Sequence, residues 1–153
     1  MNREALIKSA QSLQQVSKSC AREYSDQREF LVTLMNQKME KRPDLVEMVG
    51  AGNVDMMKDN HANHARFLES MFVSFLPEVL VDTVLWVFRA YRSRNFSSTY
   101  WAAQLNAWIE IYRENLSPEC FREIYPYYRW MQIHIPVFNQ LAEENTQGPF
   151  SAH

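Results

Sequence analysis

The chain has 153 residues, 46% hydrophobic and 22% charged, with a formal net charge of -2, the balance of one globular domain with room for a real core. Acidic and basic residues are intermixed, so the sequence carries neither the basic footprint of a nucleic-acid binder nor a polybasic tract for an anionic membrane surface. The N-terminus, MNREALIKSAQS, lacks the uninterrupted apolar run of a signal peptide, and no window approaches the roughly 18 apolar residues that span a bilayer; the expected setting is cytoplasmic. Only Cys20 and Cys120 occur, far apart and outside any CxxC spacing, which leads to an expectation of two buried or half-buried thiols rather than a disulfide framework or a zinc site.

Three glycines interrupt the chain, and apolar residues recur at spacings of three and four almost throughout, so an all-α fold over residues 1–153 is expected. Leu6, Ala10, Leu13, Val16, Cys20 and Tyr24 form one stripe, which predicts a first helix over residues 2–24 lying along a partner or a second subunit. Asp26 with Glu29 reads as a capping box for a second helix reaching about residue 41, and Pro43, Gly50 and Gly52 then break the chain. A third helix is expected over residues 54–75, and Pro77 opens a fourth at its first position, reaching about residue 93 after a very tight connection. Ser97 or Ser98 can cap a fifth helix to about residue 115, and LSPEC offers Ser117 as cap, Pro118 as first residue and Glu119 beside the positive end of a sixth. Pro126 should kink that helix, Pro136 should end its regular part or bend it again, and the tail 143–153 reads as mobile.

Two features bear on chemistry. The stretch DNHANHARFLES places Met57, His61, His64, Leu68, Phe72 and Phe75 on one side of the third helix, so both imidazoles fall on a core-facing stripe. Such residues are either satisfied interior histidines or polar groups on the wall of a ligand site. A metal would need at least one more ligand, and no HExxH or cysteine cluster supplies it. The second feature is aromatic density: all four tryptophans and six of the seven tyrosines fall between Trp86 and Trp130. Trp101, Leu105, Trp108 and Tyr112 share a face at helical spacing, which is plain core or the wall of a wide, flat pocket. Arg89, Arg92 and Arg94 close the fourth helix, either as a solvated rim or as partners for carboxylates. No nucleophile elbow, phosphate loop or carboxylate dyad is present, so a non-enzymatic role is expected.

In layout, over nearly the whole chain, the sequence resembles the globin-like fold with an N-terminal helical extension found in phycobiliproteins. The most specific local likeness is RPDLVEMVGAGN ahead of the third helix, which is similar to the Pro-x-Leu and Gly-Gly-Asn preceding the chromophore-bearing helix of that family. Counting from Pro43, His61 falls where the family has its chromophore-linking Cys, Asn63 where it has an Arg and His64 where it has an Asp. The resemblance, nearest to small globins associated with bilin biosynthesis, implies a linear tetrapyrrole (bilin) held non-covalently by a pigment carrier or light-responsive protein. Its expected contacts are Asn60, His61, His64, Phe67 and Leu68 on the third helix, Trp86, Arg89, Tyr91 and Arg92 on the fourth, and Trp101 and Trp108 on the fifth. His61 and His64 would serve the pyrrole nitrogens, and Arg89 or Arg92 the propionates. Bilin-biosynthesis enzymes are the implied partners, and homodimerisation would use residues 1–25. Two alternatives stand beside this reading: a ligand-free globin-like signalling or dimerisation module, and a haem-binding sensor. Haem is the less favoured ligand because the fourth helix contains no histidine.

Overall fold

The computed structural model describes residues 1–144, which are all-helical with no strand, as the periodicity predicts, but form seven helices where six were expected, the added one being the short α3: α1 Arg3–Ala10, α2 Lys18–Glu40, α3 Leu45–Val49, α4 Val54–Val73, α5 Pro77–Arg92, α6 Thr99–Asn115 and α7 Pro118–Glu144. None of these helices is long and apolar enough to cross a membrane.

The N-terminal segment departs from the single helix expected over residues 2–24. α1 stops at Ala10, residues 11–17 are non-helical, and α2 begins at Lys18. The reason is a stronger cap than Asp26 could make: Ser17 Oγ accepts the Cys20 N–H at 3.2 Å, while Glu123 accepts the N–H of Ser17 itself at 2.7 Å. Asp26 and Glu29 consequently sit on the exposed side of α2, well inside the helix. The break lets α1 turn onto α5 while α2 packs against α4 and α6. Leu6, Ala10, Val16, Cys20 and Tyr24 are thereby buried in the chain's own core, so the stripe assigned to a second subunit is already covered.

The expectation of two separate thiols is also corrected, because Cys20 and Cys120 form a disulfide across 100 residues of sequence. Around it, SKSCARE (17–23) and SPECFRE (117–123) are arranged reciprocally. Glu23 accepts the N–H and hydroxyl of Ser117 at 2.6 and 2.8 Å, and Glu123 accepts those of Ser17 at 2.7 and 2.8 Å. Ser117 Oγ in turn accepts the Cys120 N–H, so the starts of α2 and α7 each receive a carboxylate from the other helix at their positive ends. Disulfides persist in oxidising surroundings and are kept reduced in the cytosol; a cytoplasmic setting would therefore leave two adjacent thiols inside this clasp.

Farther along, Gly50 and Gly52 take positive φ of 90° and 81°, and their loop is tied to the α5–α6 connection by Ser97 N–H to Met48 O and by Asn53 Nδ2 to Arg94 O. Pro77 is the first residue of α5, as predicted, after a three-residue corner. Gln15 clamps that corner, donating to Phe72 O at 2.6 Å and accepting the Phe75 N–H at 2.7 Å. α6 and α7 run antiparallel, as the pairings of Tyr112 with Tyr128 and Asn106 with Gln132 show. α7 continues through both Pro126 and Pro136, each of which forgoes one backbone hydrogen bond; Pro136 does not end it. Glu143 and Glu144 belong to this helix, and the rest of the tail expected to be mobile lies outside the described residues.

Candidate functional site

α4, α5, α6 and α7 enclose a cavity of about 260 Å³. α4 supplies Asn60, Asn63, His64, Phe67 and Leu68; α5 supplies Thr83, Val84, Trp86, Val87, Phe88 and Tyr91. Trp101, Gln104 and Leu105 come from α6, and Met131 and Phe138 from α7. Among the described residues no lining side chain is acidic, lysine or arginine. The aromatic wall is ordered by ring contacts: Phe88 stacks on Trp101 at 4.6 Å, and Tyr91 and Phe138 meet these rings edge-on or at an angle. Trp86 stands at the edge with 48% of its surface exposed, a large apolar ring left in water where most tryptophans are covered.

Of the residues singled out from the sequence, Asn60, His64, Phe67, Leu68, Trp86, Tyr91 and Trp101 share this cavity. His61, Arg89, Arg92 and Trp108 do not line it. His61 is 0% exposed, and its Nδ1 pairs with Asn36 Oδ1 on α2 at 2.7 Å. His64 turns the other way, with Nε2 2.7 Å from the hydroxyl of Tyr128, which lies 2.6 Å from that of Tyr112. Three residues of helix leave about 60° between two side chains, enough here to send one imidazole to α2 and the other to the cavity and α7. Trp108 packs between them, stacked on His64 at 5.3 Å and edge-on to His61 at 6.0 Å; it is core. Arg92 reaches across to the end of α7, toward Glu143 and the carbonyl of Asn139. Arg89 is partly buried away from the cavity lining, where burial lowers its pKa.

The electrostatics follow from this burial. Both histidines are pushed down to about 3, His61 by burial and then by repulsion from His64, and His64 by burial. They are therefore neutral at neutral pH. With Nδ1 donating to Asn36, His61 keeps a lone pair on a buried Nε2 that has no hydrogen-bond partner among the described residues. His64 Nδ1 is the ring nitrogen left over once Tyr128 has engaged Nε2.

The polar contribution of α6 escaped the sequence reading. Gln104 lies three residues after Trp101 and four before Trp108, a lone amide on an aromatic stripe, and that interruption was a legible signal. Asn60 Oδ1 accepts both the Tyr100 hydroxyl at 2.9 Å and Gln104 Nε2 at 2.8 Å. Met131 and Phe138 had no comparable signal, because their place depends on how α7 crosses α5 and α6. The chain matches no family model, no curated protein and no solved structure, so its likeness to phycobiliproteins rests on the residues quoted above.

Proposed function

We propose that this chain binds a linear tetrapyrrole non-covalently in the cavity between α4 and α5, acting as a pigment carrier or light-responsive protein rather than an enzyme. The observation that carries the reading is the cavity's composition: aromatic and aliphatic walls, no acidic, lysine or arginine side chain among the described residues, and the polar groups of Asn60, His64 and Gln104 gathered at α4 and α6. A flat conjugated ligand needs such walls and a few placed polar groups. The three-residue corner between α4 and α5, with α6 and α7 antiparallel beside them, supports a globin-like arrangement of the phycobiliprotein kind.

The fit is partial and specific. A volume of about 260 Å³ lies just below the roughly 300–1,000 Å³ that encloses drug-sized ligands. One end of a linear tetrapyrrole would enter, and the remainder would lie across the edge where Trp86 is exposed. Its propionates would stay outside, since among the described residues no lysine or arginine lines the cavity. Both cysteines are engaged with each other and neither lines the cavity, which supports non-covalent binding. Haem is less well served: His61 does not face the cavity, and His64 spends Nε2 on Tyr128. Enzymes that make or modify bilins are the partners such a carrier would meet.

The test is co-expression with a haem oxygenase and a bilin reductase, followed by absorption spectra of the purified chain in native and denaturing buffer. Pigment that co-purifies and is lost on denaturation is the expected result. A colourless protein overturns the reading.

A further inference from the structure

The closed side of the cavity holds two amides whose orientation the surrounding contacts determine. Asn60 is 4% exposed and Gln104 1%, yet both line the cavity. Asn60 Oδ1 is taken twice, by the Tyr100 hydroxyl and by Gln104 Nε2; with the Tyr100 hydroxyl as the donor, oxygen and nitrogen are assigned on both side chains. What remains is the amino group of Asn60, a side-chain hydrogen-bond partner of the Tyr91 hydroxyl, and the carbonyl of Gln104. That contact uses one hydrogen of the Asn60 amino group and leaves the second for a ligand.

We propose that Asn60 and Gln104 together recognise the cyclic amide edge of a lactam ring, Asn60 Nδ2 donating to the lactam carbonyl and Gln104 Oε1 accepting the lactam N–H. In a lactam the N–H and C=O lie on the same edge, so one donor and one acceptor side by side form its complement. This rests on the tetrapyrrole reading and deepens it. The lactams of a linear tetrapyrrole are its terminal rings and carry no charge, whereas the two propionates belong to the inner rings. An uncharged cavity large enough for about two rings therefore admits the molecule end first, lactam leading, with both carboxylates left in water.

The test titrates three probes into the chain: biliverdin, with a lactam at each end; a synthetic dipyrrinone, with two rings and one lactam; and protoporphyrin IX, with the same propionates and no lactam. Binding is read from quenching of tryptophan fluorescence and from the shift of the ligand band. Biliverdin and the dipyrrinone should bind, and protoporphyrin IX should bind at least about tenfold more weakly, the loss of roughly one buried hydrogen bond or more. Gln104→Met keeps the side-chain length and removes the acceptor, and it should weaken both lactams by about tenfold while leaving protoporphyrin IX where it was. A dipyrrinone methylated on the lactam nitrogen gives the same answer with the unmutated chain and should lose binding. If biliverdin binds but neither the variant nor the methyl group matters, the lactam assignment is overturned and the tetrapyrrole reading stands. If neither biliverdin nor the dipyrrinone binds the unmutated chain, both fall.

Discussion

Reducing the Cys20–Cys120 bond should cost stability without unfolding the chain. The bond closes a loop of 100 residues, for which chain entropy alone gives about 4.7 kcal/mol, and native disulfides of this kind contribute roughly 2–5 kcal/mol. What remains after reduction is the reciprocal clasp, in which Glu23 and Glu123 each accept two hydrogen bonds, at 2.6 to 2.8 Å, from the start of the opposite helix. Hydrogen bonds to charged groups contribute about 1.5–3 kcal/mol, so four of them hold the two helix starts in register with the sulfurs apart. Urea unfolding followed by far-UV circular dichroism, with and without dithiothreitol, measures the difference. With an m-value of about 2 kcal/mol per molar for a chain this size, a loss of roughly 2–5 kcal/mol should lower the midpoint by roughly 1–2.5 M on reduction. Glu123→Gln should lower the midpoint further in the reduced protein, and Cys20→Ser with Cys120→Ser should abolish the response to reductant. Equal midpoints in both conditions would refute the argument, as would full alkylation of both cysteines in protein denatured without reductant.

Two further predictions concern titration and backbone. Burial holds His61 and His64 near pKa about 3, against an ordinary value of 6.5, so below pH 6.5 the unfolded chain takes up protons that the folded chain refuses. Stability should therefore be at its plateau above that pH and decline as pH falls, by up to about 1.4 kcal/mol per pH unit for each histidine until the folded pKa is reached; a flat urea midpoint between pH about 6.5 and about 5 would contradict it. At Gly50, φ is +90° and an added Cβ would lie 3.2 Å from Asn53 Nδ2, whereas at Gly52 φ is +81° and nothing lies within 4 Å. Gly50→Ala should cost about 1–3 kcal/mol, lowering Tm by several degrees, and more than Gly52→Ala in the same thermal melt; equal losses would show that the contact with Asn53 is immaterial.

What the sequence determined by itself is what depends on neighbours in the chain. Period-3.6 patterning located α4, α5 and α6, Pro77 and Pro118 marked two helix starts, and Ser117 was recognisable as a cap, because each signal acts within one or two helical turns. Phase also put His64 and Leu68 on one side of the same helix, whereas Trp86 and Trp101, which line the cavity with them, were named only through the resemblance. Tertiary structure decided everything that joins distant segments. Ser17 outcompetes Asp26 as the start of α2 only because Glu123, more than a hundred positions away, completes its cap. Cys20 finds Cys120 because α2 and α7 begin side by side, a fact that no local spacing encodes. His61 and His64, alike in sequence, part company because the 60° or so between them straddles Trp108, leaving one imidazole against Asn36 in the core and the other on the cavity wall. Asn60 and Gln104 became a paired donor and acceptor only when α4 and α6 were laid together, since a hydrogen bond between helices is specified by their packing and not by either helix alone.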